Sequence, residues 1–414
     1  MKLRHLSPAA LALMFALSAC GAHPTGVTAV KRGAVLAESK GVLQAKGVAG
    51  PPEIVAATEA DKPLSVKGSH EIDKFSFKGT TYHLLSVDSA GILGNVLGSL
   101  RATAGVRMAD ANAMTYALDA ELPNDEFYPM QYGLAQKNVA EAWKITMGDP
   151  NLIVGVVDTG IDYNHPDLKD KVIKGTDFTF RPGWIFHRKD VNGPMDDNQH
   201  GTHCAGIIGA TANNETGIAG VAPNVKLMAV KSLDAAGRGT EYDVMKGVAY
   251  AVTNGAKIVS LSLGGTGTTS VERKFYEAAV QSGCLVVAAA GNNGDALGFP
   301  ASYPGVLSVG ASDSGGALAK FSNHDASMGV TAPGVGILST VPGNSYEKMS
   351  GTSMAAPFVA GVAALVWSAH PDWTAQEVMD RIESTADDKG APGIDAQFGH
   401  GEVNLLAALQ DSRR

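Results

Sequence analysis

The sequence predicts an α/β protein: a three-layer fold with a mostly parallel sheet, preceded by a small α+β domain. Three observations carry the prediction. Beyond residue 120, apolar runs of strand length alternate with helical segments, the signature of a parallel sheet covered on both faces. The runs are apolar throughout rather than at every second residue, as strands buried on both sides require. About three hundred residues in that region bury an ample core without covalent staples, and the 414-residue chain has only three cysteines.

From the N-terminus, Lys2, Arg4 and His5 lead into an apolar segment from Ala9 to Leu17. It is too short to span a bilayer permanently and reads as part of a signal peptide over residues 1–20. Its end, Leu17-Ser18-Ala19-Cys20, resembles a bacterial lipobox, in which the cysteine is lipidated and becomes the new N-terminus. The rival reading is an ordinary secretory signal with a chance cysteine at Cys20. Gly21, rather than an acid, would not hold the product at an inner membrane. Residues 21–69 are rich in Gly, Ala, Val and Lys without steady periodicity and read as a flexible linker. Order returns over residues 70–119. Ile72–Phe77 alternates as a strand, Ile92–Leu100 is helix-like, and Ala113–Leu118 reads as another short strand.

Within residues 120–414 the strand candidates are Leu152–Val157, Lys226–Lys231, Lys257–Leu263, Cys284–Ala290 and Val306–Ala311. The helical candidates are Thr202–Gly209, Tyr242–Thr253, Val271–Ser282 and the Ala-rich run Phe358–Trp367. Cys204 and Cys284 sit in apolar contexts and are expected to be buried free thiols, not a disulfide framework. A net charge of −8 with no basic run argues against nucleic acid as a partner.

Three of these elements carry reactive residues at their edges. The run Leu152–Val157 ends in Asp158 and a turn glycine, Gly160, at the carboxyl end of a central strand, where sites of open α/β sheets gather. His200 opens a helix of small residues, and Ser353 stands just before the Ala-rich helix, where the partial positive charge of a helix start stabilises an anion. By itself Ser353 would be a helix cap. A serine hydroxyl becomes a nucleophile when a histidine takes its proton, and a carboxylate must fix that imidazole's tautomer. All three types are present, in the order Asp158, His200, Ser353. His200 and His203 are three apart; zinc-protease chemistry would need a spacing of four with an intervening glutamate, and neither is present. Asp162 suits a solvated or turn-stabilising role.

On these residues the chain resembles the subtilase family, close to its thermitase-like branch. The matching segments are Asp158-Thr159-Gly160-Ile161-Asp162, His200-Gly201-Thr202-His203-Cys204-Ala205-Gly206 and Gly351-Thr352-Ser353-Met354-Ala355-Ala356-Pro357. Ser262-Leu263-Gly264-Gly265 and Ala288-Ala289-Ala290-Gly291-Asn292 match as well, and the similarity runs from about Asn124 to Leu409. The resemblance implies a serine endopeptidase in which Asp158 orients, His200 is general base and acid, and Ser353 attacks. Asn292 and the Ser353 amide would form the oxyanion hole, and His203 would be structural. Ser262, Leu263, Gly264, Gly291 and Gly298 would bind an extended peptide, with a primary pocket open to large uncharged side chains. Glu241 falls where the family tends to have an aromatic residue, so a more distal subsite is expected to be more polar.

The resemblance also implies calcium. Its expected ligands are Asp125, Asp177, Asn214 and Thr216 with the carbonyls of Thr211 and Ile218, a mixed oxygen set suited to a hard cation. A second acidic cluster, Asp190, Asn192, Asp196 and Asp197, resembles a loop that holds another calcium in some relatives. Residues 70–119 resemble the family's propeptide, an intramolecular chaperone and inhibitor, with the first cut expected near residues 119–122 and residues 120–414 as the peptidase domain. The expected partners are protein or peptide substrates and the chain's own propeptide, with the precursor tethered by its lipid and the enzyme a monomer. Two rivals are a non-catalytic surface lipoprotein using the fold as a binding module, and a processing protease dedicated to one target.

Overall fold

The computed structural model describes residues 52–59, 64–112, 122–179, 193–265 and 267–410. Cys20 with the signal segment, the predicted strand 113–118, Asp190 and Asn192 lie outside the described residues. The chain divides into two compact units between Ala117 and Leu118.

In the first unit, strands β1 (Glu53–Thr58), β2 (Ser69–Phe77), β3 (Thr80–Val87) and β4 (Val106–Ala111) form an antiparallel sheet in the order β2-β3-β1-β4. Helix α1 (Leu93–Arg101) supplies Leu93, Val96 and Leu100 to a core with Ile54, Leu85 and Val87. Of the expected linker over 21–69, residues 53–58 form a strand instead. Strand β1 lies inside that stretch and sits in the interior of the sheet, paired on both sides. Its signal is short, an Ile54/Ala56 alternation among small residues, and only pairing with β3 and β4 makes it a strand.

The second unit is built on one parallel sheet. Its strands are β5 (Ile153–Asp158), β6 (Val172–Asp177), β7 (Lys226–Lys231), β8 (Ala256–Leu261), β9 (Leu285–Ala289), β10 (Val306–Ser312) and β11 (Val330–Pro333), in the order β11-β10-β9-β8-β5-β7-β6. Short helices α2 (Tyr132–Gln136) and α3 (Val139–Trp143) precede it. Helices α4 (His200–Gly209), α5 (Glu241–Thr253), α6 (Ser270–Gln281), α7 (Thr352–Ala369), α8 (Ala375–Ser384) and α9 (Leu405–Leu409) follow, with a hairpin of β12 (Ile337–Val341) and β13 (Ser345–Met349) before α7.

Side chains alternate across each strand and enter two cores. Val154, Val156, Leu285 and Val287 meet α4 and α7 on one face, while Val157, Met228, Val259 and Val286 meet α5 and α6 on the other. That double burial is why the strands read as unbroken apolar runs. Helix α7 is long and apolar enough to cross a membrane, yet it is the central core helix, buried from Met354 to Trp367. A Cβ at its Gly361 would lie 2.6 Å from Val221 Cβ, so a glycine there lets the helix pack closely.

The five predicted strands are all present, shifted by two residues at most. Helix α7 begins six residues before its apolar run, and this puts Ser353 inside its first turn. The sequence reading missed the sheet edges β6 and β11 and the β12–β13 hairpin, which are short and, in β6 and β13, only half-buried.

Candidate active site

Asp158 ends β5 in the middle of the sheet and is buried. His200 is the first residue of α4, and its Nδ1 lies 2.8 Å from Asp158 Oδ1, which also accepts the Thr159 N–H at 2.7 Å. With Nδ1 donating to the carboxylate, Nε2 is left to act as a base. Burial, the largest single influence, works against the imidazolium, but the charge and hydrogen bond of Asp158 together with the contributions of Cys204 outweigh it, and His200 is held well above its ordinary value.

The start of α4 is pinned by Asp196. Its Oδ1 accepts from the Thr159 hydroxyl and the N–H groups of Asn198 and Gln199; its Oδ2 accepts from the Thr202 N–H and hydroxyl. These bonds hold Gln199 at φ 98°, a left-handed geometry unusual for a side-chain-bearing residue, directly before His200. Gly160 and Gly201 then let the two segments touch. A Cβ on Gly201 would sit 2.1 Å from the Gly160 carbonyl oxygen and 3.1 Å from Asp158 Cβ. Asp162 is buried and stabilises turns, accepting the N–H groups of Asn164 and Gly343.

Ser353 lies in the first turn of α7. Its hydroxyl donates to the Ser262 carbonyl at 3.2 Å, and the Ser262 hydroxyl donates back to the Ser353 carbonyl at 2.8 Å. Among the described residues Ser353 and His200 share no hydrogen bond; such bonds commonly tighten only with substrate present. Asn292 stands beside this turn. Its carboxamide oxygen accepts from the Thr352 N–H and hydroxyl, and the Thr352 hydroxyl accepts the Gly291 N–H at 3.1 Å. Because the oxygen is claimed by donors, the amide nitrogen is the end left for a ligand. Thr352 is fully buried and is a positioning residue that sequence reasoning passed over. Gly291 is required at φ +114°, where a Cβ would press to 2.4 Å on Asn323.

Cys204 and Cys284 are both buried free thiols. Cys204 Sγ lies 4.0 Å from His200 Nδ1 and donates to the Ser353 carbonyl at 3.4 Å. Burial pushes its thiol up, so it packs beneath the site as a neutral group. His203 donates from Nε2 to the carbonyls of Ile337 and Glu347, tying α4 to both strands of the hairpin. Burial pulls it down to about 4, which keeps it neutral.

A cleft of about 600 Å³ opens from His200 along Ser262, Leu263 and Gly264 to Glu241. Gly264 and Gly298 lie where two backbones meet. Gly265 and Phe299 exchange N–H···O bonds of 3.0 and 2.9 Å, and a Cβ on Gly298 would come 3.2 Å from the Gly265 carbonyl. Gly291 and Gly298 do not line the cleft wall itself.

The expected calcium ligands need one correction. Asp125 accepts the N–H groups of Asn213 and Asn214, which places it at the loop that runs from Thr211 to Ile218. Asp177 is elsewhere: its carboxylate is used by Thr179 in its own turn. Asp167 is the acid that stands at this loop, accepting from Asn214 Nδ2, the Ile218 N–H and the Tyr346 hydroxyl. The residues fit a hard cation. Two buried carboxylates share one loop, and Asp125 is pushed up by burial and by the Asp167 charge, a cost that a dication would remove.

Of the second acidic cluster, Asp196 and Asp197 lie among the described residues. Both oxygens of Asp196 are taken by protein donors, and Asp197 pairs with the buried Lys231 at 2.5 Å. Lys231 in turn donates to the carbonyls of Thr159 and Leu233, so the pair braces the turn after Asp158.

A parallel α/β sheet that presents a carboxylate-oriented imidazole, a helix-start serine and an anchored amide at the carboxyl ends of its strands defines a serine endopeptidase. Residues 149–401 match the model of the subtilase family, described as Peptidase_S8. The chain is 41% identical over 359 residues to a thermophilic serine proteinase of Bacillus sp. (strain AK1), covering 86% of this chain and 85% of that one. It is 41% identical over 290 residues to thermitase of Thermoactinomyces vulgaris (70% and 99% covered), and 39% over 304 residues to subtilisin E of Bacillus subtilis (strain 168; 72% and 76%). The chain belongs to the subtilase family, in its thermitase-like branch.

Proposed function

We propose that this chain is an exported, self-processing zymogen whose mature part cleaves peptide bonds with Asp158, His200 and Ser353 as its triad. The observation that supports this best is the 2.8 Å contact of His200 Nδ1 with Asp158 beside a serine in the first turn of α7. Ser353 Oγ attacks the scissile carbonyl carbon as His200 Nε2 takes its proton. The carbonyl oxygen becomes anionic between Asn292 Nδ2 and the Ser353 N–H. His200 then protonates the leaving amine, and water, activated in the same way, releases the acyl group. Backbone groups at Ser262–Gly264 hold the substrate as an added strand, and the primary pocket takes a large uncharged side chain.

Asp125, Asp167, Asn214 and Thr216, with the carbonyls of Thr211 and Ile218, would hold calcium. When bound, the ion supplies a hard charge that fixes the loop after α4. The N-terminal unit acts as chaperone and inhibitor until a cut near residues 119–122. The apolar segment with its lipobox-like end directs export and lipidation at Cys20.

Expression of the wild type beside Ser353→Ala, followed by N-terminal sequencing of the products, tests this reading. The wild type should accumulate a form beginning near residue 120 and digest casein; the variant should accumulate as a precursor uncut near residue 120 and inert. Normal maturation of Ser353→Ala would defeat the assignment.

A further inference from the structure

The cleft that begins at His200 ends in carboxylates. Glu241, exposed at the start of α5, and Glu272, 7% exposed in the first turn of α6, line its far end together. Glu272 accepts the Tyr303 hydroxyl at 2.8 Å, and Glu241 accepts the Thr269 hydroxyl at 3.3 Å. Among the described residues neither has an ion pair. Beside them Tyr276, 1% exposed, lines the same cleft with a hydroxyl that is buried and unpartnered. Burial, then the charges of Glu272, Tyr303 and Glu241, push that hydroxyl up. Two unpaired carboxylates and an unsatisfied hydroxyl between aromatic walls are the chemistry that receives a cation. Two cationic side chains lie nearby. Arg238 forms part of the cleft wall, and Arg273 stacks on the Tyr303 ring at 5.9 Å; neither has an ion pair with the two acids.

We infer that the Glu241–Glu272 end of the cleft is a subsite for a cationic side chain, arginine or lysine, at the fourth residue before the scissile bond. The inference rests on the endopeptidase reading above. An extended peptide places alternate side chains on one face. The residue next to the cut enters the primary pocket, so the second and fourth residues share the His200 cleft, about 7 Å apart. The second meets His200 and Leu233, and the fourth reaches the acids. The enzyme thus combines an apolar choice at the cut with a charged choice upstream.

The test compares p-nitroanilides of the form X-Ala-Ala-Phe, with X arginine, its neutral isostere citrulline, or leucine. In low salt the processed wild type should favour arginine over citrulline roughly tenfold in kcat/KM, and the ratio should shrink in about 0.5 M salt. Glu241→Gln and Glu272→Gln, which keep shape and hydrogen-bond acceptors, should each lower the ratio, and the double variant should bring it near one. Glu241 is exposed, so its variant reports even if Glu272→Gln fails to fold. Equal rates for arginine and citrulline in the wild type, or a ratio unmoved by Glu241→Gln, would overturn the subsite alone. Failure to cleave any of the three would overturn the endopeptidase reading and the subsite with it.

Discussion

The carboxamide oxygen of Asn292 is gripped twice by Thr352, whose N–H lies 2.9 Å away and whose hydroxyl lies 3.0 Å away. The neighbour of the nucleophile therefore aims the group that receives the developing charge. Asn292→Ala should lower kcat by about 10²–10³ with little change in KM. Thr352→Val, which keeps the N–H but loses the hydroxyl, should lower kcat by a smaller factor, and Thr352→Ser should restore it. A KM effect without a kcat effect would argue that the pair only shapes substrate binding.

The pH profile should carry the mark of Asp158. Catalysis needs neutral His200, and its carboxylate partner holds it above the ordinary value, so kcat/KM should fall with acidification at a midpoint above about 6.5. Asp158→Asn should cut kcat by up to about 10⁴ and move that midpoint down. An unmoved midpoint would place the titrating group elsewhere.

Acid stability should depend on His203. It is buried neutral at about 4, whereas the unfolded chain protonates near 6.5. Between those values the unfolded state binds the extra proton, so the stability this group permits above 6.5 is lost as pH falls toward 4, up to roughly 3 kcal/mol. His200 works in the opposite sense: its contribution is full below its unfolded value and is lost as pH rises through the raised folded one. Urea midpoints across this range, in a Ser353→Ala background to stop self-digestion, should flatten in His203→Gln. An unchanged slope would clear His203 of the effect.

Calcium removal should lower Tm, since a ligand at about a hundred times its Kd contributes roughly 2.7 kcal/mol to the folded state. Asp167→Asn should remove the shift caused by EDTA, and Asp177→Asn should leave it intact. The reverse pattern would restore the original ligand set.

That last pair shows where sequence reasoning stopped. The core strands and the motif residues were legible because unbroken apolar runs and small-residue turns depend on local chain alone. Asp167 was not, because what distinguishes it from Asp177 is contact with a loop more than forty residues onward and with Tyr346. The structural work of Asp196 was not legible either. In the sequence it is an acid in a polar loop; the structure brings to it four donors of the His200 helix start and the hydroxyl of Thr159. Strand β1 hid in a run of small residues because its two neighbours in the sheet are distant in the chain.

The glycine contact between Gly160 and Gly201 has a consequence for how such an enzyme diversifies. The two main chains meet with no side chain between them, so no replaceable residue exists through which the spacing of Asp158 and His200 could drift by small steps. Variation is channelled instead to the cleft rim from Leu233 to Glu272, where side chains alone decide what fits. Libraries selected for new cleavage preferences should accumulate changes along that rim and return positions 160 and 201 untouched, so that selectivity evolves on a reaction centre that does not.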